Sequence, residues 1–385
     1  MAAAAARATI LARCSIMSLS IEPRRAPSQA MQLLAPVLAV ALTALSGLVL
    51  FAVLGHDPLA TLYQFFVAPV STFYGLSELA VKASPLTLCA VGLAIGFRAN
   101  VWNIGAEGQL TAGAIAGSGV ALFFWNQDGW FILPLMVLAG MLGGLAYAAL
   151  PAFLKTRFDV NEILTSLMMT YIATLLLALL VHGPWRDPEG YNFPQSRMFS
   201  EAETLPVLIE GTRLHLGVLA APVVALAAWV VMGRTIAGFQ VRVAGQAPTA
   251  ARYAGFRRNR IVWACLLLSG ALAGLAGVFE VAGPIGQLIP VISPGYGFTA
   301  IIVAFLGRLN PLGILVAAAL MALTYIGGEN AQISSGLPQA VTGVFQGMLL
   351  FFLLACDVLV RYRIRFAARA SAAAPPLRRA EAPQG

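Results

Sequence analysis

The polar residues best suited to chemistry lie between two apolar segments, in residues 92–110, GLAIGFRANVWNIGAEGQL. This stretch holds the carboxylate of Glu107 and the amides of Asn103 and Gln109, set among glycines. Inside a bilayer, irregular backbone is tolerated only where protein covers it or where it lines a wet cavity. The stretch therefore predicts the hinge of a path for a polar solute. The alternative is a tight cytoplasmic turn in which Asn103 caps a helix.

Three carboxylates could serve a second kind of chemistry, the coupling of transport to a proton or sodium ion: Glu107, Glu162 and Glu280. Carboxylates inside spans are costly and usually functional. Glu162, however, follows Asn161 at a helix start, where negative charge suits the positive end of the helix dipole. Glu280 lies near the outer end of its span, within reach of water. Only Glu107 resists such an explanation, so an ion-coupled secondary transporter stays as the alternative function.

Motifs for enzyme or metal chemistry are missing from the sequence. It has no HExxH, no GxSxG and no GxxxxGK[ST] phosphate loop, so we expect no catalytic residue, no metal, no bound cofactor and no ATP site in this chain. The cysteines form no CxxC pair and have no nearby histidine, which is typical of packing residues. They are Cys14, Cys89, Cys265 and Cys356.

Composition indicates what surrounds these residues. The chain has 385 residues, of which 59% are hydrophobic and 10% are charged, whereas soluble domains carry roughly 25% charged residues. Apolar runs of about 20 residues predict an all-α polytopic membrane protein with about ten transmembrane helices, some discontinuous or re-entrant. The expected spans are 33–54, 79–97, 111–125, 130–154, 160–181, 214–232, 261–282, 298–306, 312–328 and 340–360.

Two features of the spans predict how they pack and where they break. Glycines four residues apart allow close approach of helices, and they occur at Gly113 and Gly117, Gly140 and Gly144, and Gly270 and Gly274. Residues 283–297 are rich in glycine and proline and cannot form one continuous helix. Residues 298–306 are too short to cross alone, and the sequence RLNP at 308–311 breaks the chain again.

The distribution of Lys and Arg predicts the orientation, because cytoplasmic loops carry an excess of both. Basic residues fall in both tails and in loops on one side, whereas the short loops on the other side lack them. The long loop 183–213 holds Arg186, Arg197 and Arg213 on that other side, but long loops are weak topology signals. We therefore expect both termini in the cytoplasm, and this one-sided placement argues against nucleic acid despite a net charge of +8. The expected divisions are a disordered tail (1–30), a transmembrane domain (31–362) with an outer loop (183–213) and a cytoplasmic loop (233–260), and a disordered basic tail (363–385).

The cytoplasmic segment 240–260, QVRVAGQAPTAARYAGFRRNR, has the signals of a short helix. Pro248 suits the first turn of a helix, and Gly255 suits the position that follows its end. A helix this short is not stable alone, and we expect it to dock in a groove of a partner with the small Ala251 facing that groove. The alternative is a basic loop held near anionic lipid headgroups.

Several motifs carry a family resemblance that covers residues from about 33 to 361. RVAGQAPTAARYAGF resembles the cytoplasmic signature of permease subunits of ATP-binding-cassette (ABC) importers in the branched-chain amino acid/ribose superfamily. NVWNIGAEGQL is similar to the simple-sugar and nucleoside branch, which depends on binding proteins of the basic-membrane-protein type. FDVNEILTSLMMTYIA, PWRDPEGYNFPQS, GTRLHLG and GYGFTAIIVAFLGRLNPLG match that branch as well.

The resemblance implies a multi-pass subunit in the bacterial plasma (inner) membrane. Its implied partners are an ABC ATPase subunit that uses ATP, a second permease subunit of the same or a related kind, and an extracytoplasmic solute-binding lipoprotein. The implied solute is a nucleoside, with a simple sugar or a vitamin such as riboflavin as alternatives. The implied ATPase-coupling helix contains Gly245, Pro248, Ala251, Arg252, Tyr253 and Gly255. The implied substrate path contains Trp102, Asn103, Glu107, Gln109, Gln287 and Phe298.

Overall fold

The computed structural model describes residues 17–23, 29–125 and 127–368. The chain forms two compact units, one containing its two ends up to Leu42 and from Phe351, the other spanning Thr43–Leu350. In the first unit, strand β1 (Met17–Pro23) pairs antiparallel with strand β2 (Tyr362–Ala368). A pair of strands therefore occupies part of both segments expected to be disordered tails. The rest of those tails lies outside the described residues.

The remaining elements are helical, and several begin at side chains that accept a hydrogen bond from the first turn, namely Asp57, Thr72, Asn161 and Asn310. The α-helices in chain order are α1 (Gln29–Val53), α2 (Pro58–Phe66), α3 (Phe73–Arg98), α4 (Ala106–Phe123), α5 (Ile132–Phe158), α6 (Glu162–His182), α7 (Ala220–Arg234), α8 (Ile236–Gln246), α9 (Pro248–Tyr253), α10 (Arg258–Glu280), α11 (Tyr296–Leu306), α12 (Pro311–Ser335) and α13 (Ala340–Arg361). A π-helical turn, Val281–Ile285, extends α10. Short 3₁₀ turns cover Ala68–Val70, Glu201–Glu203 and Leu216–Leu219.

Among the described residues, seven helical segments are long and apolar enough to cross a membrane, which makes this a multi-pass membrane protein. They correspond to α1, α3, α5, α6, α7, α10 and α12. The expected count of about ten is not confirmed. Helix α4 begins with polar residues, α11 has 11 residues, and the apolar helix within α13 ends at Cys356. At 1.5 Å per residue, α11 extends only about 16 Å, roughly half of the hydrocarbon core.

The helices of the second unit divide into buried and peripheral ones. In the most apolar window of α3, 78% of the residues are buried, against 22% for α6. The peripheral helices carry large exposed apolar side chains, such as Leu175 and Leu179 on α6. Such a surface suits contact with lipid, whereas α3 and α10 are covered by other helices. The buried helices therefore position the polar residues described below.

The predicted glycine pairs meet where α4, α5 and α10 cross. A Cβ atom on Gly113 would lie 2.2 Å from the Cα of Gly274, and one on Gly144 would lie 2.2 Å from the carbonyl oxygen of Gly270. No real Cβ approaches a neighbour so closely, so only glycine permits this contact between helix backbones. The sequence-based prediction of close helix packing is confirmed.

The loop that precedes α7 packs on the chain that follows α10. Ser196 N donates to Leu288 O at 2.9 Å, and Leu205 N donates to Ala282 O at 2.8 Å. Arg213 of the same loop binds both oxygens of the Glu78 carboxylate on α3. His215 is buried here, and burial lowers its pKa to about 4, so the imidazole stays neutral at physiological pH. This loop is thus a packed part of the unit.

Candidate functional site

The first break in the helices lies between α3 and α4. Residues 99–105 are irregular, with Asn100 at a positive φ of 56°. The hinge expected over residues 92–110 is therefore longer than the irregular segment in the structure. Its first residues continue α3, and Ala106 already begins α4. Glu107 and Gln109 consequently lie in the first turn of a helix. A polar residue in a helical turn and one in a loop look alike in a local sequence pattern.

Asn103 holds the first break closed. Its Nδ2 donates to Gln109 Oε1 at 2.9 Å and to Ser269 Oγ on α10 at 3.0 Å. Its Oδ1 accepts from Gly105 N at 2.9 Å and from Gln109 Nε2 at 3.2 Å. Asn103 and Gln109 are 2% and 1% exposed, so their amides satisfy each other inside the protein. The structure thus agrees in part with the hinge hypothesis and in part with the tight-turn hypothesis. Asn103 stabilises the turn, and the turn is buried.

Glu107 links the first break to the second break, residues 286–295, which separates the π turn from α11. Gly297 N, in the first turn of α11, donates to Glu107 Oε2 at 2.6 Å. Just before α11, Ser293 Oγ accepts from Gly295 N at 3.1 Å and from Tyr296 N at 2.8 Å. Four N–H groups at a helix start lack partners in the helix, and the helix dipole favours negative charge there. The carboxylate of one helix therefore caps the start of the other.

The close approach of the two helix starts depends on Gly297. A Cβ atom at this position would lie 2.2 Å from Glu107 N and 2.5 Å from Glu107 Cα. These are backbone atoms, which cannot move aside as a flexible side chain can. Helices α4 and α11 therefore touch at their N-terminal ends.

Trp102 forms a second contact between the first break and α11. Its ring lies 4.8 Å from that of Phe97 on α3 and 6.1 Å from that of Phe305 near the end of α11. The indole Nε1 donates to Asn100 Oδ1 at 3.0 Å. Trp102 thus packs within an aromatic cluster, and its indole N–H is engaged inside the turn.

The other two predicted path residues lie in or beside the second break. Gln287 Nε2 donates to Gln195 Oε1 of the outer loop at 3.3 Å, and Gln287 Oε1 is buried without a partner among the described residues. Phe298, in the first turn of α11, is 40% exposed. The structure thus joins Trp102 and Glu107 to α11 and Asn103, with its partner Gln109, to α10, and it places Gln287 against the loop before α7.

The other carboxylates considered for ion coupling have different surroundings. Glu162 lies at the start of α6, and its carboxylate is 3.2 Å from the ammonium group of Lys155. Glu162 thus lies at the helix start, as expected, directly after the capping residue Asn161. Glu280 ends α10 on the same side as Lys82 and Arg213, whose charges act on it. No group of three His, Cys, Asp or Glu residues that could hold a metal ion occurs among the described residues.

The segment expected to be a cytoplasmic loop contains two helices in place of the single one expected. Helix α9 (Pro248–Tyr253) confirms the predicted start, and Gly255 follows its end with a φ of +78°. Helix α8 precedes it, and its Gly245 packs on the end of α3. A Cβ on Gly245 would lie 2.0 Å from the carbonyl oxygen of Arg98. The segment thus touches the backbone where the first break begins.

The exposed face of α9 differs from the expected one. Ala251 is 5% exposed and packs against its own chain, so it cannot face a partner's groove. Tyr253 is 93% exposed, and Pro248 and Arg252 are exposed as well. A small residue lets α9 lie close to its own protein, which turns the aromatic side chain outward. The outward-facing aromatic side chain of α9 is therefore Tyr253, whereas Ala251 faces its own protein.

Three residues that complete these contacts were missed from the sequence: Ser269, Gly297 and Phe305. Ser269 is a polar residue in an otherwise apolar span, and Gly297 directly precedes the predicted path residue Phe298. Both signals are weak, because serine and glycine are common in membrane helices. Phe305 carries no local signal.

Comparisons with known proteins agree with this architecture. The model of a protein family described as "Branched-chain amino acid transport system / permease component" matches residues 75–354. The glucose ABC transporter permease protein TsgB13 of Haloferax volcanii is 37% identical over 91% of this chain and 94% of its own. The guanosine ABC transporter permease protein NupP of Bacillus subtilis is 29% identical over 87% of this chain and 95% of its own. The nucleoside ABC transporter permease protein NupB of Lactococcus lactis is 26% identical, over 84% and 90%.

Proposed function

The chain belongs to the family of branched-chain amino acid transport system permease components, and we propose that it forms the translocation path of an ABC importer for a nucleoside or a simple sugar. The observation that carries this proposal is the family match, which covers the helices on both sides of both breaks. Relatives named for glucose, guanosine and nucleosides narrow the solute class to uncharged molecules rich in hydroxyl groups.

The contacts of the cytoplasmic segment support a coupling role. Helix α9 exposes Tyr253 to a partner, α8 connects it to the membrane helices, and Gly245 touches the backbone of Arg98. A movement of α9 driven by an ATPase subunit would thus press on the first break. The Glu107–Gly297 hydrogen bond would pass that movement to α11. On this proposal ATP is used by the partner, and this chain supplies the moving path.

The two breaks would line the path in different ways. Asn103 and Gln109 hydrogen-bond to each other, so their part is to hold the helix ends in place. Phe298 has an exposed aromatic face, and Gln287 has an amide oxygen without a protein partner. We therefore expect solute contacts at the second break. Weak contacts suffice there, because a separate binding protein would supply the affinity.

An ion-coupled transporter is the competing function, and it needs a carboxylate that can take up a proton or sodium ion. Glu107 is the intramembrane candidate, yet its Oε2 accepts from Gly297 N in the first turn of α11. Glu162 is paired with Lys155. These contacts favour a structural role for both carboxylates, and the family match favours a partner ATPase.

The orientation follows from the proposed docking of the ATPase at α9. Tyr191 in the loop before α7 and Tyr253 on α9 are 94% and 93% exposed, so a cysteine at either position is accessible to a thiol reagent. A membrane-impermeant maleimide added to intact cells should label Tyr191→Cys and spare Tyr253→Cys. The reverse pattern would place α9 outside and remove the coupling role.

Uptake by a reconstituted complex tests the function. The complex would contain this chain, a companion permease, the ATPase and the binding protein, in vesicles loaded with ATP. We expect accumulation of labelled guanosine or glucose that stops when ATP is replaced by a non-hydrolysable analogue. Accumulation that continues without hydrolysis, or uptake of leucine in place of both solutes, would contradict the proposal.

A further inference from the structure

A polar cavity of about 310 Å³ lies beside the second break. Its walls come from the last turns of α12, the first turns of α13 and Pro294 of the break itself. The polar side chains that line it are Tyr325, Glu329, Gln332, Gln339, Thr342 and Gln346. Its volume is at the lower end of the range of small-molecule sites, about 300–1,000 Å³. None of these residues belongs to the path expected from the sequence.

The chemistry of this wall suits hydroxyl groups. Primary amides present both donors and acceptors, as a sugar hydroxyl does. Gln332 and Gln339 are exposed, so their amides are open to a ligand, and Gln346 Nε2 is a buried donor without a hydrogen-bond partner among the described residues. A buried donor without a partner carries a desolvation cost that a ligand acceptor would relieve.

Gln346 is nevertheless held in place by its other atom. Its Oε1 lies 3.5 Å from the hydroxyl of Thr299 on α11, and that hydroxyl is 2.8 Å from the Tyr325 hydroxyl. The chain Gln346–Thr299–Tyr325 thus fixes the amide and leaves Nε2 for another acceptor. Because Thr299 is in the second turn of α11, the cavity is also tied to the helix that Glu107 caps.

The charge of the cavity is balanced. The ammonium group of Lys82 on α3 binds Glu329 Oε1, and the Lys82 side chain is 14% exposed against 55% for Glu329. Lys82 therefore orients the carboxylate from behind, and the pair contributes no net charge. An uncharged solute suits such a site better than an amino acid or a nucleotide. The Tyr325 ring is 7% exposed, so little aromatic surface is offered to a nucleobase.

Resting on the function proposed above, we infer that this cavity binds the sugar part of the solute, a hexose or the ribose of a nucleoside. Gln346 Nε2 donates to a hydroxyl oxygen, and the Glu329 carboxylate accepts from hydroxyl groups. The amides of Gln332 and Gln339 form further hydrogen bonds with the hydroxyl groups. Lys82 is a positioning residue. The nucleobase of a nucleoside would extend toward the second break.

Two glycines of α13 provide a matched pair of variants. A Cβ at Gly343 or at Gly347 meets no atom within 4 Å, so the chain itself tolerates a larger residue at either position. Gly343 lines the cavity and Gly347, one turn later, does not. Gly343→Leu fills the cavity, whereas Gly347→Leu adds the same side chain outside it. A second pair removes one amide each, Gln346→Ala inside the cavity and Gln127→Ala in an exposed turn.

Uptake of the solute that the wild-type complex transports is measured for the four variants, with the amount of assembled complex determined by size-exclusion chromatography. We expect uptake to fall about tenfold in Gly343→Leu and in Gln346→Ala, a decrease equivalent to the loss of one hydrogen bond between the solute and the site. Gly347→Leu and Gln127→Ala should stay within twofold of wild type. Equal losses of uptake in Gly343→Leu and Gly347→Leu, or no loss in either, would overturn the inference about the cavity. Uptake by the wild-type complex would still support the proposed function.

A binding measurement separates the two proposals further. A cysteine at Gln332 should react with a small maleimide, and ribose, glucose or guanosine should slow that reaction while leucine should not. Protection by none of the sugars in a complex that transports one of them would contradict the cavity alone. Protection by leucine would contradict both the cavity and the proposed solute class.

Discussion

The two breaks differ in how they are held. The first, residues 99–105, is held largely by its own side chains, because Asn103 bonds to Gly105 and Gln109. Two further bonds reach other helices, from Asn103 Nδ2 to Ser269 Oγ of α10 and from Ile104 N to Ser166 Oγ of α6 at 3.1 Å. The second, residues 286–295, is held mainly by hydrogen bonds from other parts of the chain. The loop before α7 contributes backbone bonds such as Phe199 N to Gly286 O at 2.9 Å, and α4 contributes Glu107.

This difference assigns different mechanical roles to the two breaks. A turn that satisfies most of its own polar groups keeps its shape when its neighbours move. A segment that depends on distant contacts changes shape when those contacts change. We therefore interpret the first break as a rigid pivot, pressed by α8 at Arg98, and the second as the part of the path that rearranges around the solute.

The largest expected effect comes from forcing the two helix starts apart. In Gly297→Val the new side chain meets the backbone of Glu107 at distances that no side chain tolerates. We expect a loss of more than about 3 kcal/mol of stability, beyond the usual 1–3 kcal/mol of overpacking, and no measurable uptake. Thermal unfolding of the purified complex checks the stability. Gly347→Val is the control, since its Cβ has open space, and equal unfolding temperatures for the two variants would contradict the contact.

A smaller effect should distinguish the first break, held largely by its own side chains, from the second, held mainly by other parts of the chain. Asn103→Ala leaves Gly105 N and the Gln109 amide without their buried partner, which costs about 1–3 kcal/mol per orphaned group. Gln287→Ala removes a single bond of 3.3 Å and should cost less than about 1 kcal/mol. Denaturation midpoints of the two variants give the comparison. A greater loss for Gln287→Ala would reverse the roles of the two breaks.

Part of this architecture follows from local sequence signals. The glycine pairs, the proline-initiated helix α9 and the interruption before α11 each rest on residues within one turn of each other. The Glu107–Gly297 bond joins positions 190 residues apart, and no local pattern reports such a pairing. The prediction that Ala251 faces a partner's groove was wrong for a related reason. A two-turn helix has no periodicity long enough to show which face its own protein covers.

The smallest expected effect concerns α9, the helix proposed to meet the ATPase. Tyr253→Ala removes one exposed aromatic side chain of α9 and should weaken ATPase binding by about 1–2 kcal/mol, as for other interface aromatics. Tyr191→Ala, equally exposed in the outer loop, should leave this binding unchanged. Co-purification of the ATPase at increasing salt and detergent checks both. Unchanged binding in Tyr253→Ala would leave α9 without a docking role.

Glu107 provides the most direct test of the central claim, that the chain is driven by ATP through two breaks joined by this carboxylate. Uptake is measured in ATP-loaded vesicles for Glu107→Gln and Glu107→Ala, each with and without a protonophore. Glutamine keeps an acceptor for Gly297 N and should retain substantial uptake. Alanine should lose about tenfold or more, since a hydrogen bond to a charged group contributes about 1.5–3 kcal/mol, and the protonophore should change nothing. Inactivity of Glu107→Gln equal to that of Glu107→Ala, together with arrest of wild-type uptake by the protonophore, would contradict the account and establish an ion-coupled carrier.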